Sequence, residues 1–460
     1  MSGPFLLSMS TNVEQLKNKL VEKYIKNLNT CLPNKNSEDL PSHLKKVMPN
    51  ASKQFLEWWV GFTDAEGSFA ISSQQNWKYV SLRFVIEVHL DDVEVLHKIA
   101  QTLGIGRVLE NKNSKTALYF VTKFEDIISV LIPIFQEFPL QTSKYLDFSC
   151  FLEAATIKSN NTKNNGSAQL SNIDLIKLKK LKESMNSKRI ISAKEDKILR
   201  NKVSINKWWL LGFVEGEGTF GYKHLVPYFQ IAQNEKNLFV LEAIEAYFLD
   251  TFNNSEGANL NDVGVKYTLN KGTGVYSVTI EKIDMNFKYI IPFFESMMFF
   301  SRKNLDYQYW VITVIIHKLG YYYLPEGKKI ALQISSATNK YRYTTNNSLN
   351  KIGLPSEDSI MKLLDQIPPF DIFSNSSHFE LIREFTIAKG GRKGFTVYIY
   401  ECVPEGYKEL KGSPFSTYGE GHEIIGLRRS SRTIGRYIDT GKLYNNKYIF
   451  YSTPISKEKS

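Results

Sequence analysis

Two short segments of this chain carry acids and small residues in a spacing that can do chemistry, and the pattern occurs twice. Gly61-Phe62-Thr63-Asp64-Ala65-Glu66-Gly67-Ser68-Phe69 recurs 151 positions later as Gly212-Phe213-Val214-Glu215-Gly216-Glu217-Gly218-Thr219-Phe220, with Trp58 matched by Trp209. Gly61 and Ala65, like Gly212 and Gly216, are four apart, so on a helix they form one face almost without side chains, and two such faces can pack closely. Gly67 and Gly218 fall where a left-handed cap residue would end the helix. Asp64 and Glu66, and again Glu215 and Glu217, therefore crowd the last turn, against a helix dipole that disfavours each exposed charge by roughly 0.3–1 kcal/mol. If the small faces pair, the acid-bearing ends converge, and bound divalent cations are the simplest relief of the repulsion. Such cations activate water and stabilise a leaving oxygen. One copy alone would read as an ordinary buried helix with acids at its end; two copies in register point to a functional pair.

The elements that must position these acids repeat as well. Lys123, Ile132-Pro133-Ile134-Phe135 and Lys144-Tyr145-Leu146-Asp147-Phe148 return at an offset of 159 as Lys282, Ile291-Pro292-Phe293-Phe294 and Lys303-Asn304-Leu305-Asp306-Tyr307. The change from 151 to 159 places eight extra residues in the second copy, near the turn signals of Asn253 to Gly257. In the first copy a helix over Gln54 to Glu66 precedes alternating strands at Ser68 to Ser73 and Leu82 to Leu90. Asp91 then caps a helix to Leu103. Gly106 to Glu110 and Ala117 to Thr122 read as a hairpin, followed by helices over Phe124 to Phe138 and Thr142 to Ile157. The chain thus divides into an N-terminal extension (1–51), a first repeat (52–158), a Lys-rich, helical linker (159–203), a second repeat (204–325), a linker region (326–395) with a short helix at Glu357 to Gln366, and a C-terminal module (396–460).

Composition narrows the partners. With 42% apolar and 13% aromatic residues, the chain can build packed cores. Its net charge of +11 favours a polyanion, nucleic acid before an anionic membrane surface. Cys31, Cys150 and Cys402 lack paired spacing, which speaks against a disulfide framework or zinc site and for a reducing compartment. The apolar stretches are too short to span a bilayer, so no membrane association is expected. The first fifty residues contain no Arg, unlike a cleavable organelle transit peptide; an organellar protein with this start would be made where it works. His89 and His224 read as sheet residues without chemistry.

At Trp59 to Gly67 and Leu210 to Gly218 the chain resembles the LAGLIDADG family of homing endonucleases and group I intron maturases, and the likeness extends over Ser52 to Leu319. The resemblance implies an α+β fold of two pseudo-symmetric αββαββα repeats in a single chain. It implies that Glu66 and Glu217 ligate divalent metal, Mg2+ being expected, with the carbonyls of Ala65 and Gly216 approaching it. Glu66 departs from the Asp more common in the first motif. The resemblance gives Lys144 and Lys303 as the basic residues of the active centres, and Gln233 as a residue that organises solvent at the scissile phosphate, with Leu90 as its first-copy counterpart. The antiparallel sheets would lie in the DNA major groove, read by Ser72, Gln74, Arg83 and Glu87 in the first half and Lys223, Tyr228 and Gln230 in the second.

In the C-terminal module, Val397 to Tyr400 alternates as a strand, and Lys447-Tyr448-Ile449-Phe450 closes the region. Ser431 is placed to cap a helix that buries Ile434, Tyr437 and Ile438 and ends at Gly441. Arg428, Arg429, Arg432, Arg436 and Lys442 cluster around it, as on a helix set against phosphates. From Val397 to Tyr451 this resembles the helix-turn-helix-like modular DNA-binding domain found beside homing nucleases. The whole then reads as a monomeric, site-specific double-strand DNA endonuclease encoded by a mobile group I intron, cutting a long asymmetric site by metal-assisted hydrolysis. Mitochondrial residence follows from family habit and the Asn/Lys/Ile-rich composition. A splicing maturase that binds intron RNA without catalysis, or a protein with both roles, is the alternative; a transcriptional DNA-binding protein would leave the convergent acids unexplained.

Overall fold

The computed structural model describes residues 3–25, 39–74, 77, 79–165, 170–186, 189–253, 265–270, 274–338, 353–371, 376–388, 396–404 and 406–455. The chain forms two compact units, Met1–Asn375 and Ser376–Ser460.

The first unit opens with helices α1 (Gly3–Tyr24) and α2 (Ser42–Val47). The first repeat then runs α3 (Lys53–Glu66), β1 (Gly67–Gln74), β2 (Tyr79–His89), α4 (Val93–Leu103), β3 (Arg107–Asn111), β4 (Thr116–Val121), α5 (Phe124–Asp126), α6 (Ile132–Glu137) and α7 (Lys144–Asn165). Helices α8 (Asn172–Glu183) and α9 (Ala193–Lys202) connect it to α10 (Lys207–Glu217), β5 (Gly218–Lys223), β6 (Val226–Asn234), α11 (Leu238–Asn253), β7 (Val265–Asn270), β8 (Val275–Ile280), α12 (Ile283–Met285), α13 (Ile291–Glu295) and α14 (Lys303–Lys318). Helices α15 (Pro325–Ala337) and α16 (Glu357–Leu364) follow.

Each repeat carries an antiparallel four-stranded sheet, ordered β1-β2-β4-β3 in the first and β5-β6-β8-β7 in the second. Both cores close on the same aromatic cluster. Phe69 packs on Phe84, Phe135, Phe148 and Phe151, and its counterpart Phe220 packs on Phe229, Phe294, Tyr307 and Trp310. The Phe69–Phe135 and Phe220–Phe294 centroids are both 5.4 Å apart, a spacing that favours edge-on ring contacts. Even the π turn before α6, at Ile127–Leu131, returns at Asn286–Ile290 before α13. Pro133 and Pro292 lack the N–H that a regular helix needs at this point, which accounts for the wider turn.

Register shows what the net eight-residue shift conceals. Gly67 opposes Ile86 and Gly218 opposes Ile231, so the second strands are offset by 231 − 86 = 145. The β1–β2 connection is therefore six residues longer in the first repeat, and the α11–β7 region is fourteen longer in the second. In the second repeat the hairpin is a tight turn with His224 and Leu225 at φ 52° and 69°; His224 is a turn residue, whereas His89 does end strand β2. The turn signals at Asn253 to Gly257 lie largely outside the described residues, as does Cys31.

The segments flanking the repeats pack on them. Leu16, Leu20 and Val21 of α1 join the core, and Lys17 pairs with Glu295 at 2.8 Å. In the connector, buried Arg189 binds Asp147 at 2.9 Å and Glu195 at 3.2 Å. Residues 326–338 and 353–371 contribute α15 and α16, with Ile330, Ile334, Ile360 and Leu363 buried in the same core.

The second unit holds α17 (His378–Ala388), β9 (Tyr398–Val403), β10 (Gly406–Glu409), α18 (Tyr418–Ile424), α19 (Thr433–Tyr437) and β11 (Tyr448–Tyr451), with strand order β10-β9-β11. Its small core gathers Val397, Ile399, Phe415, Ile434 and Phe450. Among the described residues no helix is long and apolar enough to cross a membrane.

Candidate active site

The seam between the repeats is made by α3 and α10, and their glycines are there because nothing larger fits. A Cβ on Gly61 would lie 1.9 Å from the carbonyl oxygen of Trp209, and one on Gly212 would lie 1.9 Å from that of Trp58. One turn on, a Cβ on Gly216 would meet the Ala65 Cβ at 2.3 Å and the Glu66 Oε1 at 3.1 Å. The paired small faces thus bring the two acid-bearing helix ends together. Gly67 and Gly218, however, are not left-handed caps: their φ values are −76° and −75° in extended backbone. Glycine is needed because the strand leaves so tightly that a Cβ would lie 2.7 Å from the Thr63 or Val214 carbonyl oxygen.

The four acids divide into two buried and two at the tips. Asp64 accepts from Gln141 N at 2.7 Å, Thr142 N at 3.2 Å and Thr142 Oγ1 at 2.6 Å. It also accepts from Trp209 Nε1 at 2.8 Å, across the seam. Glu215 mirrors it, accepting from Phe300 N, Ser301 N and, across the seam, Trp58 Nε1 at 2.9 Å. Burial pushes both carboxyls up from their ordinary range, and these hydrogen bonds pull them back. These are structural acids that fasten the start of α7 and of α14.

Glu66 is half-buried and Glu217 exposed at the helix tips. Burial, then the neighbouring Glu217 carboxylate, raises the Glu66 carboxyl, while Lys144 and Lys303 lower it. Lys144 Nζ donates to the carbonyls of Asp64 and Ala65, both at 2.7 Å. Lys303 Nζ donates to Gly218 O at 2.6 Å and Gly216 O at 3.4 Å. Burial lowers the pKa of both lysines, opposed for Lys144 by Asp64, Glu66 and Glu217 and for Lys303 by Asp306, Glu66 and Glu215. Among the described residues no group of three or more His, Cys, Asp or Glu forms a cation cage. What this seam offers a divalent ion is a pair of converging carboxylates that repel one another, with helix-end carbonyls beside them. That donor set fits a hard, oxygen-loving cation. The Ala65 and Gly216 carbonyls already accept a lysine N–H, and each keeps a second lone pair.

Gln233 is held one hydrogen bond from the start of α7, through Asn237, whose Oδ1 accepts from Ser143 N at 2.9 Å. Along β6 it shares the buried face with Phe229 and Ile231, and its Oε1 accepts from Asn237 Nδ2 at 2.8 Å. Its counterpart by register is Val88 (233 − 145), not Leu90.

The opposite faces of both sheets are open. Ser72, Arg83 and Glu87 are exposed and share one face, with Ala70 opposite Arg83; Gln74 ends β1 opposite Tyr79. In the second sheet Lys223, Tyr228 and Gln230 share a face, and Gln230 Nε2 donates to Thr279 Oγ1 at 2.8 Å and Ser277 Oγ at 3.1 Å. Lys223 pairs with Glu281 at 3.3 Å. In the C-terminal unit Arg428, Arg429, Arg432, Arg436 and Lys442 are all exposed. The helix among them is only Thr433–Tyr437, capped by position at Arg432 rather than Ser431, whose Oγ instead accepts from Thr433 N. Ile434 is buried, and Tyr437 and Ile438 pack against the same core.

Two tandem sheets joined by a glycine-lined helix seam, with an acid at each helix tip, define a two-repeat nuclease-like architecture. Residues 59–155 and 210–314 each match the LAGLIDADG endonuclease family, so the chain carries two copies of that family's domain. A curated relative, the uncharacterized mitochondrial protein RF1 of Saccharomyces cerevisiae, is 25% identical over 86% of this chain and 81% of its own length. The probable intron-encoded endonuclease Cox1-I1b of Schizosaccharomyces pombe is 29% identical over 56% of this chain, which spans 63% of that protein. Among solved structures, I-GzeII in complex with its DNA target is 25% identical with a TM-score of 0.50, covering 62% of this chain and 99% of that one. I-SmaMI bound to cleaved DNA shares the fold at 23% identity and TM-score 0.51, covering 62% of this chain and 97% of that one.

Proposed function

We propose that this protein is a site-specific homing endonuclease that binds a long asymmetric DNA duplex along its two sheets and hydrolyses both strands at the α3–α10 seam. One observation carries the reading: two equivalent helices meet so closely that a Cβ on Gly216 would lie 2.3 Å from the Ala65 Cβ and 3.1 Å from Glu66 Oε1, which brings the two acid-bearing tips together. Glu66 and Glu217 hold the divalent cations, Mg2+ in the working enzyme, with the Ala65 and Gly216 carbonyls contributing. The bound cations supply an activated water and offset charge on the leaving oxygen. Lys144 and Lys303 stand beside the carboxylates, one per centre, where a positive charge steadies the phosphate under attack. Each centre serves one strand. The open faces bearing Ser72, Gln74, Arg83, Glu87, Lys223, Tyr228 and Gln230 read bases, and the arginines of the C-terminal unit with Lys442 extend the footprint along the phosphates.

The names of the relatives, probable intron-encoded endonucleases, favour cleavage over splicing assistance, and the mitochondrial origin of RF1 favours a mitochondrial home for a protein that acts as a monomer. The test is magnesium-dependent cleavage of a duplex carrying the intron-free insertion site. Glu66→Gln and Glu217→Gln should each abolish cutting with DNA binding retained; intact cutting by either variant would overturn the assignment.

A further inference from the structure

Each repeat reaches across the seam to cap the helix that carries the other repeat's lysine. Four successive amides open α7, and four open α14. In both, the first two donate to the buried acid of their own repeat, and the last donates to a nearby hydroxyl, Lys144 N to Thr142 Oγ1 at 3.1 Å and Lys303 N to Ser301 Oγ at 3.3 Å. The third donor, immediately before the lysine, crosses over. Ser143 N donates to Asn237 Oδ1 at 2.9 Å, and Arg302 N donates to Asp92 Oδ1 at 3.1 Å. The donors are related by 302 − 143 = 159 and the acceptors by 237 − 92 = 145, which are the repeat's own offsets at those elements. The same contact has therefore been kept twice on changed residue types.

We infer that Asp92 and Asn237 are positioning residues, each holding in place the active-centre lysine of the opposite repeat. Both sit in the 3-10 turn that follows the second strand, at Leu90–Asp92 and Glu235–Asn237. Asp92 stands at the start of α4, yet makes no side-chain cap bond to that helix; Asp91, expected to cap α4, instead binds the Arg302 guanidinium at 2.6 Å. In the other centre the cap is a neutral amide, oriented by Gln233. Gln233 thus acts at a distance, through Asn237, on Lys144. A helix start whose third amide loses its acceptor frays, and the lysine one residue on leaves the carbonyls at the end of α3 or α10. The consequence is that neither centre is assembled by its own repeat alone.

The inference rests on the nuclease reading for its strand-specific readout and on exchange for its geometric one. In the full-length protein, backbone hydrogen–deuterium exchange should rise in the peptide around Ser143 in Asn237→Ala and around Arg302 in Asp92→Ala, each without change at the other helix. On the end-labelled target duplex with magnesium, Asn237→Ala should slow cutting of one strand and Asp92→Ala the other, on the order of tenfold to a hundredfold, so that nicked product accumulates. Asn237→Asp and Asp92→Asn keep the accepting oxygen and should restore the rate. Unchanged exchange at the helix starts, or both strands slowed equally by either variant, would overturn the inference. Failure of the wild-type protein to cut would instead sink the nuclease reading and leave the exchange result to decide the capping.

Discussion

The two repeats place nearly identical groups at the seam and different ones everywhere the molecule faces outward. Phe69 and Phe220 sit in matching aromatic clusters, Trp58 and Trp209 exchange bonds with Glu215 and Asp64, and Lys144 and Lys303 occupy the same helix start. On the open faces, by contrast, Arg83 stacks on Phe120 at 5.3 Å, whereas Gln230 in the second sheet is tied to Ser277 and Thr279. One hairpin is a two-residue turn and the other is six residues longer. The contrast separates what closes the fold from what meets a target: the first admits few solutions, the second is free to differ.

If the seam is as constrained as the glycines indicate, Gly61→Ala and Gly212→Ala should each destabilise the protein by about 3 kcal/mol or more, because backbone of the other helix must move. Chemical denaturation would measure this, and a tolerated alanine at either position would break the equivalence of the halves. Next come the buried acids. Asp64→Ala and Glu215→Ala each orphan several buried donors and should cost about 2–3 kcal/mol. The two should cost about the same, since each binds two backbone amides, a hydroxyl residue and the tryptophan across the seam; a clear difference in the same assay would show that the two helix starts are held differently. The smallest effect concerns the tips. Glu66 titrates above its ordinary value in part through Glu217, so its folded pKa exceeds the unfolded one. Its favourable share of stability is present below about pH 4, the ordinary glutamate range, and is lost as pH rises through the raised value. In metal-free protein, Glu217→Gln should move the Glu66 carboxyl titration downward, read by carboxyl carbon NMR, and should gain stability over wild type as pH rises. An unmoved midpoint would mean that the two tips do not sense each other.

Much of this arrangement was legible in the sequence because repetition marks it: the motif glycines, the tip acids and the two lysines recur at fixed offsets. What was hidden depends on geometry that spacing does not encode. Gly67 and Gly218 invite a left-handed cap, yet the requirement is a close approach by the departing strand. The shift from 151 to 159 reads as one insertion, although it sums a shorter hairpin and a longer connection. The register offset of 145 pairs Gln233 with Val88, two residues before Leu90, and places it on the buried face of its strand. Asp64 and Glu215 resemble the tip acids in type and differ only in pointing inward. Asp92 and Asn237 have no local signal at all, since their partners lie in the opposite repeat; only matching the two offsets would have singled them out.

The crossed caps also bear on how such a chain can be rebuilt from parts. A repeat taken from a relative and grafted here would bring its own reading strands intact, but its lysine would depend on a turn supplied by the recipient. Recombinant halves should therefore work best when position 92 or 237 travels with the helix it serves, so that the unit of exchange is not the repeat itself but a repeat together with three residues of its neighbour.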